Sequence, residues 1–243
     1  MQFTDEIAMH ECGHVIALAA TGLTDEFQIA TNVPDFDDFG RPTDGRTDHT
    51  RASLNKLSEN LTEFTSGQQG GLERFRQFVL TTPDVCLQHL CFYFGGGEID
   101  RFLGRKNPDR NKIDMEQIRE CVLPAMFLLS TLTEKKDKAL PSNKELLSAG
   151  TMAWLSDEDI TFIQKKVDEF MSKVFTKEKV LLGRLYSAIV EYKTLMRDNI
   201  DPEILNEMRT CAKRSERDYN NLLASVKEWH AEKMSQLTFF KVQ

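Results

Sequence analysis

The chain has 243 residues, 40% hydrophobic and 28% charged, with a formal net charge of -7. That apolar share excludes a disordered tail, 13 Gly exclude a collagen-like repeat, and five Cys in this length exclude a disulfide scaffold. The acidic balance opposes phosphate backbones and anionic lipid, so neither nucleic acid nor a membrane surface is expected as a partner.

The opening Met-Gln-Phe-Thr-Asp-Glu lacks the basic start and apolar core of a signal peptide. No apolar run approaches the roughly 18 residues of a membrane span. Cys12, Cys86, Cys91, Cys121 and Cys211 are odd in number and form no C-x-x-C pair, which fits free thiols in a reducing compartment. The cytoplasm is the expected location.

Residues 4–21 predict a helix, capped by Thr4 or Asp5 and ended by Gly22. Phe27 to Val33 alternates like a strand and stops at Pro34. Asp35 to Gly71 is rich in Asp, Gly, Thr, Ser and Asn and reads as a long loop with a weak helical stretch from Arg51 to Phe64. Leu72 to Phe94 has helical spacing, interrupted at Thr81-Thr82-Pro83, and its second piece is apolar nearly all round, as a buried helix is. Gly95-Gly96-Gly97 either admits another backbone or turns the chain sharply. A polar stretch from Arg105 leads to Asp114, at the start of a helix from Met115 to Leu132. Ser156-Asp157-Glu158-Asp159 and Asp201-Pro202-Glu203 open further long helices. Ile160, Ile163, Val167, Phe170, Met171 and Val174 mark the buried face of the first.

One motif carries chemistry. His10-Glu11-Cys12-Gly13-His14 is H-E-x-x-H on the first helix. Four residues of helix separate the imidazoles by about 40° in direction and about 6 Å in rise, so both reach one ion. Glu11 lies close enough to serve as general base without being a ligand, whereas Cys12 points to the opposite face. A catalytic zinc has three protein ligands, and two His leave one to be found elsewhere in the chain.

Ile7 to Ala17, I-A-M-H-E-C-G-H-V-I-A, resembles the H-E-A-G-H helix of the FtsH-type ATP-dependent zinc metallopeptidases. Phe94-Gly95-Gly96-Gly97 through Gly104 is similar to that family's G-G-R-x-A-E-E helix, and Asn111 to Gln117 to the segment whose Asp is the third ligand. With the later helices the likeness spans roughly residues 4–208. It implies a mostly α fold with a small β element: a zinc peptidase domain over 1–208 with a loop-rich insertion at 35–71, beyond which 209–243 reads as a helical extension. It implies that His10, His14 and Asp114 hold zinc and that Glu11 is the catalytic acid/base, activating a zinc-bound water. Asp109, Asp100 and Glu98 are rivals of Asp114, and Asp100 falls where the family has its first Glu. His49 in the loop region is expected to be solvated, His89 to be a satisfied core residue, and His230 to sit in a terminal charged helix. No G-x-x-x-x-G-K-[ST] occurs, Gly97 replaces the family's Arg, and Asp100-Arg101 replaces its two Glu.

The expected activity is therefore ATP-independent cleavage of unfolded or flexible polypeptides by a protease domain without the ATPase and membrane segments. Phe27 to Val33 is its candidate peptide platform. The alternative is an inactive or weak protease-fold module that binds a partner, or a second copy, through its C-terminal helices. Leu222, Leu223, Val226, Trp229 and Met234 would form that contact stripe.

Overall fold

The computed structural model describes residues 4–36, 42–50, 52–53, 71–105, 112–118 and 156–236. These are mostly helical with a small antiparallel β element. Helix α1 (Glu6–Ala20) begins at Asp5, whose Oδ1 accepts the Ala8 N–H at 2.9 Å and satisfies one orphan donor of the first turn. Every residue from Ala8 to Ala20 is buried. A helix enclosed on all sides is the axis of a core, and its few polar side chains must find partners there.

After Gly22, at φ +85°, a 3-10 turn (Thr24–Glu26) feeds strand β1 (Phe27–Thr31). Strands β2 (Asp35–Phe36) and β3 (Pro42–Thr43) form a ribbon, and β4 (Arg46–His49) returns antiparallel to β1. On the other side β1 pairs with β5 (Thr194–Met196), giving the order β4-β1-β5. Both edges of β1 are therefore taken, and it cannot be the open platform that its sequence suggested. Parts of the region read as loop fold into β2, β3 and β4, strands too short and polar to show alternation. The helical stretch expected from Arg51 to Phe64 lies outside the described residues, apart from 52 and 53. His49, expected to be solvated, is buried, because β4 lays it inside the sheet.

Helix α2 (Gly71–Phe102) runs unbroken through Pro83 and through Gly95-Gly96-Gly97, both expected interruptions. Packing overrides propensity here. The glycines serve close approach: a Cβ on Gly95 would lie 2.6 Å from the Gly13 carbonyl oxygen and 2.9 Å from the Ala17 Cβ. Helices α1 and α2 thus cross with their backbones in contact.

Helix α3 (Lys112–Gln117) carries Asp114 in its first turn; the stretch from 119 to Leu132 lies outside the described residues. Helix α4 (Asp157–Lys177) opens with a capping box between Ser156 and Asp159 and buries all six residues of its predicted face. Helix α5 (Lys179–Tyr192) leads to β5, and α6 (Pro202–Gln236) closes the described fold, running unbroken past position 208. Leu222, Val226 and Trp229 of α6 are buried, and Leu223 packs against the same core. Trp229 stacks on Phe162 at 5.9 Å, and Tyr219 Oη donates to Asp84 Oδ1 at 2.6 Å. The expected partner stripe is thus occupied by the chain itself; the Met234 side chain lies outside the described residues. His230 is also buried. Among the described residues no helix is long and apolar enough to cross a membrane.

Gly95→Ala must push α1 and α2 apart and should cost about 1–3 kcal/mol in chemical denaturation. Asp159, buried, accepts from Ser156 N at 2.9 Å and pairs with Lys233 Nζ at 2.7 Å. Burial works to raise its carboxyl, but Lys233 and Ser156 outweigh it and hold it below the ordinary range. A lowered folded-state pKa gives stability above the ordinary Asp range that fades as pH falls through the folded value. Asp159→Asn should therefore lower the melting temperature at pH 7, by about 1 kcal/mol of stability. The difference from wild type should close on acidification below about pH 4.

Candidate metal centre

Helix α1 places His10 and His14 one turn apart on the side facing α2 and α3. The structure brings them together with Asp114: the two Nε2 atoms are 3.3 Å apart, and Asp114 Oδ2 stands 3.6 Å from His10 Nε2 and 3.5 Å from His14 Nε2. The two carboxylate separations are too long for hydrogen bonds, so the three donors form a nearly equilateral triangle around a small gap. This group can hold a metal ion.

The opposite nitrogen of each ring is tied. His14 Nδ1 donates to the Phe92 carbonyl oxygen at 2.7 Å, and a carbonyl can only accept. His10 Nδ1 lies 2.8 Å from Asp100 Oδ2. With Nδ1 as donor in each neutral imidazole, both Nε2 lone pairs point into the gap. Two lone pairs and a carboxylate facing one another in a buried site call for a cation between them.

Without an ion, protons supply that charge. Burial works against protonation of His10, yet Asp100 and Asp114 outweigh it and push the imidazole up to about 10. His14 is raised in the same way, against burial, by Asp114. Burial would raise Asp114, but the charge of His14, with that of His10 beside it, brings it down to about 2. Ion and protons compete for the same place.

Glu11 is buried beside the triangle, and its Oε2 accepts from Thr47 Oγ1 of β4 at 2.7 Å. Burial raises its carboxyl, partly countered by the charges of His14 and His10 and by the Thr47 hydroxyl. A carboxylate with raised proton affinity at the edge of a metal-binding group is suited to moving protons.

Two glycines make room for this arrangement. A Cβ on Gly96 would fall 2.5 Å from the Nε2 atoms of both His10 and His14, so only glycine lets α2 roof the triangle. A Cβ on Gly45 would meet the Ile7 side chain and come within 2.9 Å of Glu11 Oε1.

Of the rivals to Asp114, Asp100 backs His10 from behind, and Glu98 is buried in an ion pair with Arg101. Asp109 lies outside the described residues. Cys12 is fully buried in the core and takes no part. Sequence reasoning missed Thr47 and the Phe92 carbonyl. A hydroxyl in a polar stretch and a main-chain oxygen leave no signal, whereas Asp100, four residues after Gly96, shared a helical face that could have shown its role.

No protein-family model matches the chain, and comparisons with curated proteins and with solved structures also give no match.

Asp100→Asn keeps the shape of the side chain but weakens the acceptor behind His10. Metal affinity, measured by competition with a coloured chelator, should fall about 10–100-fold.

Proposed function

We propose that the chain is a zinc-dependent, ATP-independent endopeptidase that hydrolyses unfolded or flexible polypeptides, built on an FtsH-like protease fold. The observation that carries this reading is the triangle of His10, His14 and Asp114 with Glu11 at its side. Tetrahedral zinc with bonds of about 2.0–2.1 Å spaces its donors roughly 3.3–3.5 Å apart. The separations of 3.3, 3.5 and 3.6 Å fit that ion. Two imidazoles and one carboxylate are also a donor set of catalytic rather than structural zinc sites, which leaves a position for substrate.

Zinc, when bound, supplies Lewis acidity that polarises a peptide carbonyl and makes water acidic near neutral pH. His10, His14 and Asp114 would hold it, while Asp100 and the Phe92 carbonyl keep the rings aimed. Glu11 takes the proton of an attacking water on its carboxylate and returns it to the leaving amine. Its raised proton affinity suits both halves of that task, and Thr47 keeps the carboxylate in one orientation.

Substrate is proposed to lie along β4. Among the described residues this strand is at the sheet edge, and it carries Thr47, which touches Glu11. An extended peptide added there gains main-chain hydrogen bonds and runs past the acid/base, as a flexible polypeptide can and a folded one cannot. No P-loop motif is present in the sequence to couple ATP to unfolding.

Metal analysis of the purified chain, with cleavage of an unfolded protein by wild type and Glu11→Gln, tests the reading. The variant should keep its zinc and lose roughly 10²–10⁴-fold in kcat. A zinc-free wild type, or cleavage untouched by the substitution, would refute it. Asp114→Asn should lower zinc occupancy and Asp109→Asn should not.

A further inference from the structure

A second group of donors lies on the far side of Phe92. Glu26 ends the 3-10 turn before β1, His49 ends β4, and His89 belongs to α2 one turn before Phe92. All three are buried, and each offers a ligand atom within 4.8 Å of the others. His49 Nε2 and His89 Nδ1 are 2.8 Å apart.

Ser53 braces this group from behind. Its hydroxyl is 2.9 Å from His89 Nε2, and its backbone N–H donates to Glu26 Oε1 at 2.9 Å. An ion would then replace the hydrogen bond between His49 Nε2 and His89 Nδ1 and be met by Glu26 Oε2. Glu26 Oε2 is buried and has no hydrogen-bond partner among the described residues. A buried carboxylate oxygen without a partner is costly unless a cation meets it.

We propose that Glu26, His49 and His89 form a second binding site for a divalent cation of the zinc class. Two imidazoles and a carboxylate suit such an ion better than magnesium or calcium, which prefer all-oxygen sets. Tetrahedral coordination needs donors about 3.3–3.5 Å apart. Binding would open the imidazole pair slightly and draw Glu26 inward, with Ser53 as the outer partner that orients two of the three ligands.

Its donor set matches that of the first centre, but its place between three elements gives it a tethering role. Three ligands from three elements tie the start of β1 and the end of β4 to α2. Phe27 and His49 are already register partners, and Thr50 N donates to Glu26 O at 2.9 Å. The His49 ring lies 4.2 Å from that of Phe92, which in turn lies 5.1 Å from His14. An ion here fixes β4, and Thr47 with it, relative to the first centre. The inference stands independently of the proposed peptidase activity.

Counting bound metal on the 243-residue chain tests it. After chelator treatment, Zn2+ or Co2+ is added, the excess is removed, and bound metal is measured, with circular dichroism to confirm folding. Wild type should bind two ions per chain. Glu26→Gln and His49→Phe should bind one, His14→Asn should also bind one, and His14→Asn combined with Glu26→Gln should bind none. Zn2+ should raise the melting temperature of His14→Asn but not of that double variant. A wild type that binds one ion lost in His14→Asn, or none, overturns the proposal. So does a wild type whose two ions both survive Glu26→Gln, a nearly isosteric change. A single ion lost in Glu26→Gln but kept in His14→Asn would uphold this site and refute the zinc reading of the first.

Discussion

The backbones of α1 and α2 meet at Gly13 and Gly95, and the metal-binding geometry depends on that contact. A side chain at either position would meet main-chain atoms of the other helix, which cannot move aside without separating the helices. The contact brings Gly96 over the imidazoles, the Phe92 carbonyl to His14, and Asp100 to His10. One helix supplies the two imidazoles and the other supplies the groups that aim them, while Asp114 comes from α3. The glycine triplet, which in isolation weakens a helix, is what permits this face-to-face arrangement.

The buried polar groups of α1 follow from the same geometry. His10, Glu11 and His14 sit in a stretch of α1, Ala8 to Ala20, that is otherwise apolar and enclosed, where an unpartnered polar group would be costly. Each has a partner from a different element: Asp100 from α2, Thr47 from β4, Asp114 from α3. The carboxylates offset the charge that protons, or an ion, bring to the imidazoles. Binding of an ion is thus an exchange of positive charge within a compensated cluster rather than the burial of a new charge.

Phe92 links the two histidine clusters. Its carbonyl holds His14, and its ring is shared between His14 and His49. The small sheet is therefore more than a cover. β1 anchors it, β4 brings Thr47 to Glu11 and His49 to His89, and β5 seals the other edge. In the proposed peptidase, the strand that offers an edge to substrate is also the one that orients the acid/base.

The sequence by itself determined the local features. Helical spacing put His10 and His14 on one face, Asp5 and Ser156 marked helix starts, and the apolar face of α4 was readable from its periodicity. These depend on neighbours a few residues apart. Only the tertiary structure decided that β1 is central and β4 is the edge, and that the glycine triplet continues a helix. It also buried His49 against His89, and it turned the C-terminal stripe inward. Each of these depends on which distant segments meet, and a strand of four polar residues or a main-chain carbonyl carries no local mark of its partner.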